Sequence, residues 1–422
     1  MRDEAPNLQL VDQLYPRGAP VDAAAEVAEG LRRAGLRDCV RPGARIAITA
    51  GSRGVADLVP ILRAAANAAR QAGGEPFVAP CMGSHGGATA DGQRAVLAGL
   101  GVTAKSIGAE VVSSMDVVAL GESAFGGPVW ASRDLAEADG IIVVNRVKPH
   151  TDFHGEVESG LVKMLVIGAG KHAGAISAHG HTIRHGFPAV LRDHGERLLA
   201  ALPVLCGVAV VEDQHERTAV LEVVLPSAFF AREAELLSRA RDLLPRLPFD
   251  QLDVLVVDEL GKDVSGAGMD TNVIGRVSFW GGGERPARPR ITRIFVRGLT
   301  AATHGNACGI GMADFITARG AAAVDRAATG VNCITSNCPE DARLPIACAG
   351  DREALAACLQ TSGVRNPAEV RLAWIRDTAH LAQLAVSEAL LDEVRAGQAL
   401  RPAGPLFPLP YDENDDLRSP FS

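Results

Sequence analysis

The sequence predicts an α/β protein of two domains with mostly parallel sheets, and three observations lead there. The chain has 422 residues, beyond the size at which a single hydrophobic core keeps growing. Short apolar runs alternate with stretches at helical spacing, the pattern of parallel strands covered by helices on both faces. Hydrophobic residues make up 47% and charged residues 22%, the composition of a globular protein rather than a disordered or membrane-embedded one.

In chain order, Ala44–Ala50 (ARIAITA) is a short apolar run ended by Gly-Ser-Arg-Gly, and Val55–Gln71 then carries apolar residues at helical spacing. That is a strand, a tight turn and a helix. PFVAP near residue 78 leads through a Gly-rich turn into a helix after Thr89, and GIIVVN (140–145) leads into a loop rich in His and Gly, read as running from Thr151 to His181. GVAVVEDQ and TAVLEVVLP pair around a polar turn, Glu212–Arg217. The Pro-containing stretch LLPRLPFDQ marks a boundary, giving an N-terminal domain over 1–250. A second series opens with Leu252–Asp258 and continues through ITRIFVRGL (291–299), helical stretches after Gly311 and Gly320, and a helix from Arg352 to Gln360. This C-terminal domain covers 251–401, and the Pro- and Asp-rich stretch 402–422 reads as an irregular surface tail.

Several function classes are disfavoured at once. The formal charge is −8, and no Lys/Arg run is interleaved with aromatics, so nucleic acid is not an expected partner. The opening MRDEAPNLQLVDQLYPRG lacks the apolar stretch of a secretory signal, and no run of about eighteen apolar residues offers a membrane span. The eight cysteines form no Cys-x-x-Cys pair. They read as reduced thiols and fit a cytoplasmic protein.

Ligands of open α/β sheets gather at the carboxyl ends of the strands, and four segments bring polar residues there: GSRG (51–54), MGSHGG (82–87), NRVKPH (145–150) and the loop 151–181. His85 and His150 each follow a strand in a Gly- or Pro-bearing turn. Alone, either reads as a loop histidine bonded to backbone; clustered, they suit an acid/base pair across one carbon centre. Five of the eleven histidines lie between 150 and 181, a density that suggests a metal. The His-Glu-x-x-His motif is absent, and His150-x-x-x-His154 lacks the glutamate. A zinc- or iron-dependent hydrolase or lyase is therefore an alternative rather than the first reading, and a non-catalytic metal or small-molecule binding protein is another. Gly168-Ala-Gly-Lys-His lacks the spacing of a phosphate loop and the Ser/Thr after its lysine, which argues against nucleotide hydrolysis. Lys163 stands among apolar neighbours in ESGLVKMLVIGAG. Such a lysine is a candidate nucleophile or attachment point, unless its stem packs and its head simply reaches water.

The order GSHGG, a strand ending in VKPH, a lysine thirteen residues on and a histidine sixteen beyond that resembles the nickel-pincer lactate racemase family. GSRG, MGSHGGAT, NRVKPHTDF, ESGLVKML, GMDTNVIGR and LPYDENDDL resemble one branch of that family nearly end to end. The resemblance implies two α/β domains with the cofactor site in the cleft between them, and a racemase or epimerase inverting C2 of a 2-hydroxy acid. The implied cofactor is nickel in a pyridinium-3,5-bisthiocarboxylic acid mononucleotide, the nickel-pincer nucleotide, which would be supplied by cofactor-building enzymes. By the same resemblance Lys163 carries the cofactor, His179 ligates nickel, and His85 and His150 exchange the substrate hydroxyl proton. Hydride transfer at C2 avoids a dianionic intermediate, and each face of the planar keto acid needs its own base, which accounts for two histidines. The sequence departs from the family at the first turn, where Ala50-Gly51-Ser52-Arg53 keeps Arg53 as a substrate-binding residue without its acidic partner. A family lysine has no match in Asn272–Ser278, and Arg276 is the candidate replacement cation because its fork fits a carboxylate.

Overall fold

The computed structural model describes residues 5–279 and 288–421. The chain is α/β, with two mixed, mostly parallel sheets. It divides into one compact unit over 17–244 and a second made of 1–16 together with 245–422.

The sheet of the first unit runs in the order Glu110–Val111, Glu75–Pro80, Arg45–Ala50, Gly140–Arg146, Val204–Glu212, Thr218–Val224. Only the last pair is antiparallel. Gly140–Arg146 is buried over its first five residues, the continuous apolar run expected of a strand covered on both faces. One face packs on the helices Ala23–Arg33 and Leu58–Gln71; Leu58, Ile61, Leu62, Ala65, Ala66 and Ala69 form the buried stripe of the latter. On the other face a Cβ at Gly207 would meet Leu161 and Phe229 side chains at 2.6 and 2.8 Å. The sheet therefore needs a glycine there to let the segment around Leu161 and the helix Phe229–Asp242 close in.

The segment expected as one loop from Thr151 to His181 is a loop only as far as residue 160. Helix Leu161–Lys163 runs into a π-helical turn, Met164–Gly168, and the helix Lys171–His185 follows. The turn is set by the Ala169 N–H donating to the Met164 carbonyl at 2.8 Å. Glycines at 168, 170, 174 and 180 hide the helical pattern in the sequence. Gly174 has a steric reason, because its Cβ would stand 3.4 Å from Trp130 Cβ in the hairpin strand Pro128–Ser132.

The second unit has eight strands in the order Ile346–Cys348, Phe315–Thr317, Arg290–Leu299, Gln251–Leu260, Leu372–Ile375, Gln383–Ser387, Leu8–Gln13, Leu400–Pro402. Its first five strands are parallel. The N-terminal segment, read from sequence as part of the first domain, supplies an inner strand here, antiparallel to both neighbours, with Leu8 and Val11 fully buried. The Pro- and Asp-rich tail is irregular but tied in: Phe407 exchanges two 2.8 Å backbone bonds with Leu8, and Leu417 is buried. The stretch after Gly311 is a short turn and the strand Phe315–Thr317, with helices only at Ala318–Ala322 and Arg326–Thr335. No helix of the described residues is long and apolar enough to cross a membrane.

Helix Leu161–Lys163 begins against a buried carboxyl. Glu233, 1% exposed, accepts the Val162 N–H at 3.0 Å. At Gly160 a Cβ would fall 2.3 Å from that carboxyl, so any larger residue there would have to displace it. Burial raises the Glu233 pKa to about 7 against the lowering effect of the Val162 and Leu161 amides. Between pH 4.5 and about 7 the folded state then keeps a proton that the unfolded chain has released, and stability falls as pH rises through that window. Glu233→Gln, neutral throughout, should gain on the wild type from pH 5 to pH 8 by up to about 3 kcal/mol, measured in denaturant melts. A stability difference independent of pH would contradict this placement of the carboxyl.

Candidate functional site

The strand order explains why three polar turns meet. Glu75–Pro80, Arg45–Ala50 and Gly140–Arg146 are adjacent and parallel, so the turns after them, which carry His85, Arg53 and His150, leave the same edge side by side. Arg45–Ala50 is also the strand from which the chain steps first one way and then the other, the place where open α/β sheets bind ligands. Backbone pairing between Arg45–Ala50 and Gly140–Arg146 stops at Ile48 and Ile142. Beyond it the buried Thr49 hydroxyl bridges the gap, accepting from the Val144 N–H at 2.9 Å. The turn after Ala50 is anchored further on by the Ala56 N–H donating to Glu212 at 2.7 Å.

Lys163, His150 and His179 come together against a stacked pair of phenylalanines. Phe153 and Phe187 lie 4.2 Å apart between ring centroids, at an interplanar angle of 10°. His150 stacks on Phe153 at 4.4 Å, His179 meets Phe187 edge-on at 5.4 Å, and the Lys163 Nζ lies 5.9 Å from the centre of the Phe153 ring. Burial dominates the electrostatics of all three. It pushes the Lys163 ammonium down to about 8, with Asp152 and Glu158 opposing and Lys148 and Arg53 assisting. It pushes His179 down to about 4, helped by the charge of Lys163. His150 is held well below the usual histidine range by burial and by Lys163, Lys148, His179 and His154. Three basic nitrogens that feel one another in a low-dielectric space cannot all carry charge.

The loop that carries His150 is organised by Glu158, whose side chain is 0% exposed. It accepts from the His150 N–H at 2.6 Å, the Gly155 N–H at 3.1 Å and Arg241 at 2.5 Å, and lies 3.4 Å from His154 Nδ1. Burial alone would raise its pKa, but these partners hold it below the usual glutamate value. His150 Nδ1 accepts the Asp152 N–H at 3.0 Å, and the Asp152 carboxylate stands 4.0 Å from the same nitrogen. Glu158, Asp152, Phe153 and Phe187 have no role in the sequence reading; the one visible sign of the first three is a pair of acids and an aromatic inside a His- and Gly-rich stretch.

His85 occupies an exposed position in its turn, with its N–H bonded to the Met82 carbonyl at 3.1 Å. The turn backs onto the Lys163 segment: the Gly83 N–H donates to the Gly168 carbonyl at 3.2 Å, and Gly83 adopts φ +60°, with the Ile167 carbonyl 3.3 Å from where its Cβ would sit. On the helix Lys171–His185, His179 and His181 face different ways. The His181 ring lies 5.9 Å from those of Phe125 and His194, away from the phenylalanine pair. Arg276 belongs to the second unit, where its guanidinium donates to the Met312, Ile291 and Thr292 carbonyls and pairs with Asp314 at 2.8 Å. Those bonds use it as a tie between a strand and a loop, so the substrate-cation role expected of it has no support here. Among the described residues no three His, Cys, Asp or Glu side chains are grouped to hold a metal ion, which leaves a zinc or iron centre built wholly from protein ligands without a set.

Residues 15–187 match the family model of the lactate racemase N-terminal domain, a stretch that includes Arg53, His85, His150, Lys163 and His179. No curated protein matches the chain. Among solved structures, the lactate racemase apoprotein from Thermoanaerobacterium thermosaccharolyticum is similar in fold, with a TM-score of 0.51 and 12% identity over 88% of this chain and 98% of that one. At that identity the likeness concerns the fold. Residues 15–187 are thus similar to the lactate racemase N-terminal domain, and over most of the chain the likeness is one of fold.

Proposed function

We propose that the chain is a racemase or epimerase that inverts C2 of a 2-hydroxy acid by hydride transfer to a nickel-pincer nucleotide attached to Lys163. The likeness of residues 15–187 to the lactate racemase N-terminal domain suggests a racemase-like isomerase with a small hydroxy-acid substrate. The observation that supports the finer reading is the convergence of Lys163, His150 and His179 on one aromatic wall, with each nitrogen biased toward its neutral form.

The residues fit the implied group. Covalent attachment through nitrogen needs a free amine, and a lysine pKa of about 8 leaves roughly a tenth of Lys163 unprotonated at pH 7. A metal ligand needs an imidazole lone pair, and His179 keeps its own down to about pH 4. When bound, the nickel-pincer nucleotide supplies an electrophilic centre able to accept hydride from C2. The protein's part is to position and to move the hydroxyl proton. The Arg53 guanidinium, whose charge is felt at Lys163, takes the substrate carboxylate through its two-pronged fork. His85 and His150, from the strands on either side of the one preceding Arg53, each serve one orientation of the hydroxyl. With the Asp152 N–H on Nδ1, neutral His150 carries its proton on Nε2. Taking a substrate proton at Nε2 therefore requires the tautomer with Nδ1–H, for which the Asp152 carboxylate 4.0 Å away is the nearby acceptor. Asp152 thus sets which way His150 works.

Hydride transfer carries its own label test. With substrate deuterated at C2, the opposite enantiomer formed in ordinary water should keep its deuterium; washout into solvent would sink the mechanism. His85→Ala and His150→Ala should each lose about 100-fold or more in racemisation, and with single enantiomers they should show opposite preferences for the first half-reaction. Two variants favouring the same enantiomer would break the two-base assignment. Replacing His179 by Ala should cut bound nickel while the nucleotide stays on Lys163, and unchanged nickel would move the ligand elsewhere.

The Lys163 pKa is open to measurement without cofactor. In the apoprotein, competitive amine labelling of the Lys163 peptide should rise with a midpoint near pH 8, whereas surface lysines follow a midpoint of about 10.4. A Lys163 midpoint at the surface value would mean that the apolar wall does not desolvate it.

A further inference from the structure

We infer that Lys171 and Gln93 form the positioning element of this site, a buried ammonium and carboxamide that hold the His85 turn in register with the helix bearing His179. Its functional half rests on the racemase reading above; its structural half stands alone. Both residues are 0% exposed. The Lys171 Nζ donates to the Pro80 carbonyl at 2.6 Å and to Gln93 Oε1 at 3.1 Å. Because an ammonium only donates, it fixes which end of the carboxamide faces it. The Gln93 Nε2 is left to donate to the Gly83 carbonyl at 2.9 Å and the His85 carbonyl at 3.4 Å. One chain of bonds therefore runs from the first residue of the helix Lys171–His185, past the end of the strand Glu75–Pro80, to the backbone of the turn at Gly83 and His85.

Two features say that this is a built arrangement and more than packing. Lys171 adopts φ +55°, a left-handed conformation that costs a non-glycine residue free energy, although glycines stand at 168 and 170. A glycine at 171 would take that backbone more readily but would have no side chain to reach Pro80 and Gln93. Second, the pair spans the segments that carry His85, a base for the substrate hydroxyl in the proposed reaction, and His179, its nickel ligand. Burial lowers the Lys171 pKa, with Cys81 and Asp134 opposing; the group is kept polar by its two carbonyl-type acceptors. Lys171 and Gln93 are positioning residues, acting through His85 and His179.

Gln93→Glu separates the two halves of the chain of bonds. It keeps an acceptor for Lys171 and removes both donors to the turn. By hydrogen exchange of the apoprotein, amides of 83–88 should exchange about tenfold faster or more, with 171–185 and 187–201 at wild-type protection. Lys171→Met should loosen both the turn and the start of its helix; should that variant fail to fold, Gln93→Glu and Gln93→Met carry the test. Unchanged exchange over 83–88 in Gln93→Glu, or an equal rise across the whole unit, would overturn the inference. In loaded protein, Gln93→Glu should keep the Lys163 adduct and lose about tenfold or more in kcat with KM within about twofold. A kcat at wild-type level beside a loosened turn would overturn its functional half. Absence of any adduct on wild-type Lys163 would instead defeat the racemase reading and leave the exchange result to stand by itself.

Discussion

Lys163, His150 and His179 share a space walled by the stacked rings of Phe153 and Phe187, and the cost of charging any of them there shapes the rest of the site. In water each would titrate on its own. Against two apolar rings, and within reach of one another, they are pressed toward the neutral state, in which nitrogen lone pairs are available. A nucleophilic amine and an imidazole metal ligand both need that state, so one desolvating wall would serve both the proposed attachment and the proposed coordination. The acids nearby are kept from undoing it by being occupied: Glu158 is bound by backbone N–H groups, Arg241 and His154, and Glu233 is buried under the start of the Lys163 helix with its pKa raised to about 7.

Holding such a wall in place is a task for the backbone. The strand order sets three turns at one sheet edge, the Thr49 hydroxyl spans the point where two strands part, and a π-helical turn follows Lys163 at once. π-Turns are rare and recur at functional sites. Here the extra residue in the turn lies between Lys163 and the helix that presents His179. Glycine at 160 lets a carboxyl approach, and glycine at 83 takes a left-handed turn against the Ile167 carbonyl. Both positions flank residues of the proposed chemistry.

The parallel sheets were legible because their strands are continuous apolar runs followed by glycine turns, and the candidate residues His85, His150 and Arg53 stood out at those turns, whereas Lys163 was singled out by its apolar neighbours and by the resemblance. The helix carrying His179 was hidden by two glycines and four histidines that blur its period. The N-terminal strand was missed since its partners lie more than 370 residues away in sequence, at Gln383–Ser387 and Leu400–Pro402, a distance over which no local pattern speaks. Arg276 looked like a replacement cation from its neighbourhood in the chain; its bonds to three carbonyls and Asp314 follow from tertiary contacts that spacing does not encode. The same holds for Glu158 and Phe187, whose roles arise only when the loop after His150 folds back.

The central claim is that Lys163 is the attachment point of a nickel-pincer nucleotide. Its most direct test is the intact mass of the protein, with mapping of the Lys163 peptide, after co-expression with cofactor-building enzymes. The account predicts a mass increase on the wild type, located to Lys163, and none on Lys163→Ala. An adduct that persists in Lys163→Ala, or a wild-type protein whose mass is unchanged while an authentic lactate racemase loaded in parallel gains it, would contradict the account.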